Sequence, residues 1–182
     1  MKIKEFTVSQ SIKLVKDMLK NKSLKVQRDS IKPGELFFGV YDAKDKEQTY
    51  DKRPFVLLLK RNKTHMLGIN FNWAPLPLRV ILVKKILQMN SRNIKNNKPL
   101  EFYYKDLKPF LKKIGFAPVI RMYISKRMSS SVIKVKPENL LEASRINSAV
   151  FNEGKSAETM YRKAIKGNKE YRATRKRREW LL

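Results

Sequence analysis

Apolar residues near the start of the chain follow the period of a helix. The spacing that places side chains on one helix face is found at Val8, Ile12, Val15 and Leu19. Thr7 and Gln10 match a capping box, in which each side chain satisfies a backbone N–H that the first turn leaves unpaired. The sequence therefore predicts an amphipathic helix over 8–20.

After Pro33 the pattern changes to short runs of apolar, aromatic and β-branched residues separated by turn residues. Three such runs cover 36–41, 55–59 and 66–73, and they predict three strands of an antiparallel meander. The run FVLLL at 55–59 is apolar at every position, which is expected of a strand buried on both faces. The core of the protein is therefore predicted in this region.

The second half of the chain alternates helical and strand patterns. The predicted elements are a helix over 78–90 after Pro77, a helix over 106–114 ending at Gly115, strands over 119–125 and 132–135, and helices after Pro137 and over 156–166. We expect an α+β fold, with a small antiparallel SH3-like β-barrel or meander capped by helices. Residues 1–32 would form a helical arm, 33–136 the core with its packed helices, and 137–182 a helical, basic extension.

Composition restricts the chemistry open to the chain. Its 182 residues include no Cys and a single His. Thiolate nucleophiles, disulfides, thiolate zinc sites and iron–sulfur clusters are therefore excluded, and so are metal sites that need two histidines of this chain. We expect neither a cofactor nor a metal. Any catalysis would depend on carboxylates, hydroxyls, Lys, Arg or Tyr.

The charge indicates the kind of partner. The chain has 42 Lys and Arg against 16 Asp and Glu, a formal net charge of +26, whereas a magnitude of about 2–8 suits a small soluble domain. Like charges at this density repel one another in the compact state, so an anionic partner is expected, and nucleic acid is the most common one. No run of about 18 apolar residues is present, so no membrane insertion is expected.

The last 28 residues carry the densest charge, with 10 basic and 3 acidic side chains. Candidate contacts to nucleic acid or to an acidic protein are Arg172, Arg175, Lys176, Arg177 and Arg178. Arg is preferred there, and its planar guanidinium binds phosphate in a bidentate way. Apolar anchors for a partner are provided by Tyr171, Trp180, Leu181 and Leu182. Such a segment buries too little apolar surface to fold alone, so we expect it to become ordered against a partner.

The predicted helix over 8–20 carries a second group of candidate anion-binding side chains. Its polar face presents Lys13, Lys16 and Lys20. These lysines are either an ordinary solvated helix face or part of a binding surface.

An aromatic run precedes the predicted helix over 106–114. It consists of Phe102, Tyr103 and Tyr104, next to Lys105 and Lys108. Single-strand binders stack bases on such rings beside cations that follow the backbone. Three consecutive rings in a strand would point to both of its sides, so at least one ring is expected in the core.

The loop over 42–53 concentrates charged residues of both signs. Its acidic residues are Asp42, Asp45, Glu47 and Asp51, and its basic residues are Lys44, Lys46, Lys52 and Arg53. The carboxylates lack the ligand spacing of a calcium loop, so an ion-paired turn is predicted. His65, in the next turn, has no partner at metal-ligand spacing and is expected to be an exposed loop residue.

The segment 33–82 resembles a stretch of small proteins from T4-like and related large tailed bacteriophages. The matching positions are Pro33, Gly34, Tyr41, Asp42, Lys44, Tyr50, Asp51, Pro54, Gly68, Ile69, Asn70 and the helix entry from Pro77 to Arg79. The resemblance implies a small SH3-like or similar β-barrel in a virion or DNA-handling component, next to packaged DNA or acidic neighbours. It covers about 50 of the 182 residues and contains no catalytic signature.

The opening of the same segment is also similar to that of MazF-type endoribonuclease toxins. The similarity rests on a strand opened by Gly34 and on Glu47, Gln48, Arg53 and Pro54. In such an enzyme Arg53 would stabilise phosphate charge in the transition state, with a hydroxyl or carboxylate as the base. The later part of that pattern is not evident, and the chain is longer and more basic than the members of that family.

We therefore expect a non-catalytic structural protein of a tailed-phage virion that contacts neighbouring virion proteins and binds nucleic acid, with DNA favoured, without sequence preference. It would belong to a larger assembly, in the virion and in the host cytoplasm during assembly, with no small-molecule substrate. A ribosome-associated or other RNA-binding protein is the alternative in the binding class. A MazF-like endoribonuclease is the alternative among enzymes.

Overall fold

The fold combines helices with one antiparallel sheet, which confirms the α+β prediction. A computed structural model of the protein describes residues 3–43, 51–96 and 103–167. The helices are α1 (Val8–Lys20), α2 (Leu76–Met89), α3 (Ser91–Lys95), α4 (Tyr104–Ile114), α5 (Leu140–Ala143) and α6 (157–167). The strands are β1 (Lys25–Gln27), β2 (Leu36–Phe38), β3 (Phe55–Arg61), β4 (His65–Asn70), β5 (Ile120–Ile124) and β6 (Ser131–Lys134).

The six strands form one sheet in the order β1-β6-β2-β3-β4-β5, with every neighbouring pair antiparallel. Because β2, β3 and β4 are consecutive in the chain and adjacent in the sheet, the predicted meander is confirmed. The chain then leaves the sheet for α2, α3 and α4 before β5 returns beside β4. β6 pairs with β2, and β1 pairs with β6. β1 lies within 1–32, where the sequence predicted only helix.

The sheet is open, because its outer strands β1 and β5 do not pair with each other. The strand pairing therefore does not show the closed barrel that the sequence led us to expect. Two arginine side chains fix the segment after β1, and the first connects it to the segment after the other outer strand, β5. Arg28, directly after β1, donates from Nη1 to the backbone oxygens of Ser125 (2.7 Å) and Met128 (3.0 Å), between β5 and β6. Arg61, at the end of β3, donates to the backbone oxygens of Arg28 (3.2 Å) and Asp29 (2.7 Å). We call Arg28 and Arg61 the arginine clasp.

One face of the sheet, here called the helical face, packs against helices and forms the larger core. Along β3 its side chains, such as Phe55 and Leu57, alternate with those of the opposite face. Buried residues of α1, α2, α4, α5 and α6 complete this core. The ring of Phe55 lies 5.6–6.0 Å, between centroids, from the rings of Phe38, Phe71 and Phe151.

The opposite face, here called the curved face, buries a smaller apolar cluster. Its fully buried members include Phe37, Val56, Leu58 and Met66. Every residue of this cluster belongs to a strand or to a segment joining strands, so no described α-helix contributes to it. All five residues of FVLLL are buried, which confirms that this strand is enclosed on both sides.

α1 begins and ends where the sequence predicts. Both hydrogen bonds of the capping box are present. The Thr7 N–H donates to Gln10 Oε1 at 2.9 Å, and the Gln10 N–H donates to Thr7 Oγ1 at 3.2 Å.

The face that α1 turns to the core differs from the predicted one. The residues on its core side are Ser11, Leu14, Val15 and Met18. The predicted apolar face was wrong, since it includes three residues that are 39–55% exposed: Val8, Ile12 and Leu19. Both sets have helical spacing, and a polar contact favours the observed one. Ser11 Oγ accepts the backbone N–H of Asn147 at 2.9 Å, which fixes α1 against the segment after α5.

α2 carries a buried arginine that joins three segments. Arg79 donates from Nη1 to the backbone oxygen of Ile146 at 2.6 Å, and its Nη2 forms an ion pair with Glu5. Burial lowers the pKa of Arg79, and the Glu5 carboxylate opposes that change. The residues before α1 are thereby fixed to α2 and to the segment after α5.

α4 ends at Gly115, as predicted. The φ angle of Gly115 is +89°, a conformation that glycine adopts without the steric penalty of a Cβ. The hydroxyl of Tyr161 in α6 donates to the backbone oxygen of Gly115 at 2.7 Å. α6 is thus held against the C-terminal end of α4.

Candidate functional site

The described residues carry most of the excess of basic over acidic side chains in the protein. They include 32 Lys and Arg but only 11 Asp and Glu, an excess of 21 basic side chains. Carboxylates with an ion-pair partner belong to Glu5, Asp29, Glu35 and Asp42. Even if every carboxylate were paired, internal pairing would leave most of the cations unneutralised. Like charges at this density repel one another in the compact state.

α1 presents the predicted lysines to solvent. Lys13, Lys16 and Lys20 are exposed, and they line a shallow groove along the helix with Ser9, Ile12 and Asp17. The exposed aliphatic side chains of Val8, Ile12 and Leu19 lie within about 40° of one another around the helix axis. They form a strip beside the three lysines. We call these lysines and aliphatic residues together the α1 surface. Its cations suit phosphate or carboxylate, and its aliphatic strip suits an apolar partner.

α4 presents a second row of lysines. Lys105, Lys108 and Lys112 follow one another at i, i+3 and i+7, so they share one side of the helix, and all three are exposed. The other side of α4 buries Leu107 and Leu111. We call the three cations the α4 lysine row. Lys105 and Lys108 were candidates from the sequence, whereas Lys112, four positions after Lys108, was not.

The aromatic run before α4 is divided between solvent and core. The Tyr103 side chain is exposed, whereas Tyr104 packs partly against the helical face. One ring of the run therefore contributes to the core, although through a helix rather than the strand that was assumed. Phe102 lies outside the described residues.

α6 continues the basic surface from the end of α4. It exposes Arg162, Lys163 and Lys166, and the hydrogen bond between Tyr161 and Gly115 holds it beside α4. The predicted tail site lies outside the described residues, and its members are Tyr171, Arg172, Arg175, Lys176, Arg177, Arg178, Trp180, Leu181 and Leu182. Their role in binding stays a prediction.

Asp51 belongs to a buried network of amides and not to an ion-paired turn. Its Oδ2 accepts from Asn70 Nδ2 at 2.7 Å and from Asn72 Nδ2 at 3.0 Å. Its Oδ1 accepts the backbone N–H of Arg53 at 3.2 Å. Burial raises the pKa of Asp51, and these hydrogen bonds oppose the rise. We call Asp51, Asn70 and Asn72 the amide network.

The ion-paired turn was the wrong prediction for Asp51 because its partners are distant in sequence. Asn70 and Asn72, at the end of β4, are 19 and 21 residues away from it. Asp42 pairs with Arg127 at 3.8 Å, an arginine outside its own loop. Asp45 and Glu47 lie outside the described residues.

β5 places two further polar side chains beside the amide network. The guanidinium carbon of Arg121 lies 4.6 Å from the centre of the buried Trp73 ring. Burial raises the pKa of Tyr123 well above its ordinary value, and the Asp51 charge adds to the rise. The polar end of the curved face is thus enclosed by β4 and β5 together.

Of the four residues after Gly34 that carry the MazF similarity, two can be placed. The side chain of Arg53 is exposed, and its backbone oxygen accepts from Asn72 Nδ2 at 3.0 Å. Pro54 is buried directly before β3, while Glu47 and Gln48 lie outside the described residues. The Arg53 side chain is therefore exposed to solvent, while a hydrogen bond from Asn72 holds its backbone.

His65 begins β4 and is half-buried, so the prediction of an exposed loop residue was wrong. Its Nδ1 lies 2.8 Å from Thr64 Oγ1. Within the described ranges, no group of three or more Asp, Glu or His side chains is placed to hold a metal ion. No helix in those ranges has the length and apolar character needed to span a bilayer.

Comparisons of the chain with protein-family models, with curated proteins and with solved structures gave no match.

Proposed function

We propose that the protein is a non-catalytic, nucleic-acid-binding component of a larger assembly, and that this assembly is a tailed-phage particle. It binds DNA through phosphates without reading the base sequence, and it also contacts neighbouring proteins. The resemblance of segment 33–82 to small proteins of T4-like phages supports the choice of particle.

The excess of 21 basic side chains among the described residues carries the nucleic-acid part of the proposal. Lysines are spread over the α1 surface and the α4 lysine row, and basic residues continue along α6. Exposed lysines bind phosphate as point charges, which gives affinity without base recognition. A spread of cations over several helices therefore favours sequence-independent binding.

The α1 surface supports the contact with neighbouring proteins. Val8, Ile12 and Leu19 are exposed although the same helix buries Val15 and Met18 in the core. An aliphatic strip next to cations suits a partner segment that is both apolar and acidic. α1 thus provides a protein contact within the described part of the chain, in addition to the predicted contact of the tail.

We further propose that the curved sheet is a small SH3-like barrel left open along one seam. Two observations support this finer classification. The curved face is buried without contributions from any described helix. The arginine clasp brings the end of β1 to the segment between β5 and β6, at the opposite end of the strand order.

Binding to duplex DNA tests the main proposal. Two duplexes of about 20 base pairs and unrelated sequence should bind equally well. Contacts to roughly 5–8 phosphates predict that log affinity falls with log salt concentration at a slope of about −4 to −7. Fluorescence anisotropy over a series of salt concentrations measures this slope. A flat salt response would contradict the proposal.

A triple variant of the α4 lysine row tests where the phosphates bind. Replacing Lys105, Lys108 and Lys112 with Gln should make the slope less steep by about 2–3, because each phosphate contact contributes about 0.9. Replacing the same three residues with Arg is the matched control, since it keeps the charge and should keep the slope. An unchanged slope in the Gln variant would remove α4 from the interface.

RNA distinguishes the two alternative functions. Strong preference for structured RNA over DNA of equal length would favour the ribosome-associated alternative. Electrophoresis of a single-stranded RNA incubated with the protein reports cleavage, and we expect this RNA to stay intact. Specific cleavage that Arg53→Ala abolishes without unfolding the protein would contradict the non-catalytic proposal and favour the endoribonuclease.

A further inference from the structure

The ring of Tyr103 is largely exposed at the N-terminal end of the α4 lysine row. The residue is 73% exposed. Its backbone oxygen accepts the N–H of Asp106 at 3.0 Å, whereas its side chain makes no capping hydrogen bond to the helix. The fold therefore uses the backbone of Tyr103 to begin α4 and leaves the ring to solvent.

The α4 lysine row begins beside this ring. Lys105 Nζ lies 5.5 Å from the ring centre, within the range of a cation–π contact. An aromatic ring has two faces, and an exposure of 73% leaves room for a second flat group. From Lys105 to Lys112 the row extends about 10 Å along the helix axis, at a rise of about 1.5 Å per residue.

A ring next to a row of cations matches the two chemical parts of a nucleotide chain. Bases stack on aromatic rings irrespective of sequence, because every base has a π face, and phosphates bind the cations. In a duplex both faces of an internal base are covered by its neighbours in the stack. In a single strand the base faces are accessible, so this arrangement suits a single strand.

We propose that Tyr103 is a stacking platform for one base of a single-stranded nucleic acid whose adjoining phosphates bind Lys105, Lys108 and Lys112. The proposal rests on the proposed nucleic-acid function and specifies the form of strand that this site takes. The contact uses the face of the ring, so the hydroxyl of Tyr103 is not required.

The experiment compares a single-stranded oligothymidine of about 12 nucleotides with a duplex of equal length, using the full chain at one salt concentration. Tyr103→Ala should weaken single-strand binding about tenfold and change duplex binding less than about twofold. Tyr103→Phe keeps the ring face and should bind both forms like the wild type. Met122→Ala is the matched control, because it removes a side chain that is 67% exposed on β5 and should change neither affinity.

Photocrosslinking to an oligonucleotide containing 5-iodouracil gives a second readout. We expect the adduct on the peptide that contains Tyr103. The melting temperature of Tyr103→Ala, followed by circular dichroism, should equal that of the wild type, because an exposed ring contributes little to the core.

The outcomes separate this inference from the function on which it rests. Wild-type affinity of Tyr103→Ala for the single strand, or an equal loss for both strand forms, would overturn the stacking platform and leave nucleic-acid binding standing. A loss in Tyr103→Phe as large as that in Tyr103→Ala would also overturn it, since it would indicate a hydroxyl contact. Failure of the wild type to bind either oligonucleotide would overturn the proposed function itself.

Discussion

The two faces of the sheet bury their residues by different means. The helical face is covered by residues of α1, α2, α4, α5 and α6, and its core is apolar. The curved face receives no side chain from a described helix. It combines a small apolar cluster with the amide network at the end of β4.

This difference shows two ways in which a small basic protein stabilises one sheet. On the helical face the free energy of burial follows the apolar area removed from water. On the curved face Asp51, Asn70 and Asn72 are buried together with the apolar cluster, and their mutual hydrogen bonds matter because a buried donor without an acceptor costs about 1–3 kcal/mol. Asp51 is accommodated there by three N–H donors, and burial still raises its pKa.

Phe55→Ala should produce the largest effect and tests the apolar side of the comparison. Phe55 is buried among three other rings, so truncation leaves a cavity and should reduce the free energy of unfolding by about 3–5 kcal/mol. Urea denaturation followed by circular dichroism measures the loss. Phe55→Leu, which keeps part of the volume, should lose less. A loss below about 1 kcal/mol would mean that the helical face repacks around the gap.

Asp51→Ala tests the polar side and should have the next largest effect. It removes the acceptor of the buried Asn70 Nδ2 and one of the two acceptors of Asn72 Nδ2, which keeps its hydrogen bond to the Arg53 backbone oxygen. We expect a net loss of about 2 kcal/mol at neutral pH, measured by urea denaturation. Asp51→Asn keeps an acceptor oxygen and should lose less. Equal stability of wild type and Asp51→Ala would show that the amide network adds nothing to the free energy of unfolding.

The pH dependence of stability in the wild type and in Asp51→Asn tests the raised pKa of Asp51. The folded pKa of Asp51 is above its ordinary value of 3.8. At a pH between these two pKa values, Asp51 is therefore protonated in the folded protein and ionised in the unfolded chain. Relative to Asp51→Asn, the wild type should therefore lose stability as pH rises from below 3.8 through the folded pKa. Urea denaturation of both proteins across this range measures the difference. A difference that grows in the opposite direction would contradict the raised pKa.

Asp29→Asn should produce the smallest effect, because its ion pairs lie at the surface. Contacts with Arg28 (3.0 Å) and Arg61 (2.8 Å) lower the pKa of Asp29 to about 2. The stability from this lowered pKa is present above the unfolded value of 3.8 and is lost as pH falls toward about 2. The Asp29 side chain is 64% exposed, so solvent screening should keep the loss at neutral pH below about 1 kcal/mol, and less in high salt. A loss unaffected by salt would contradict a screened surface pair.

The sequence predicts the elements whose signals are local. The capping box of Thr7 and Gln10 locates α1, Gly115 marks the end of α4, and the uninterrupted run FVLLL identifies a strand buried on both faces. In each case the residues that determine the element lie within a few positions of it. β1 lacks such a signal, because KVQ contains one apolar residue and pairs with a strand about 100 positions away.

Features that depend on distant residues were not predicted. α1 has two helical apolar faces, and the choice between them involves a hydrogen bond from Asn147 to Ser11. The partners of Asp51 lie beyond the whole of β3. The cationic surface was predicted because the net charge of the chain does not depend on how the chain folds. Assignment of the α4 lysine row to one exposed surface, however, required knowing which side of α4 is buried.

The arginine clasp also bears on the order of events in folding. Its hydrogen bonds from Arg28 to Ser125 and Met128 close loops of 97 and 100 residues, which cost conformational entropy before any contact compensates for it. Contacts between residues so far apart slow folding. α2, α3 and α4 separate β4 from β5 in the chain. β1 cannot contact the segment after β5 until these helices have packed and β5 has paired with β4. We therefore expect the clasp to form late, so that it slows the opening of the finished sheet more than it speeds its assembly.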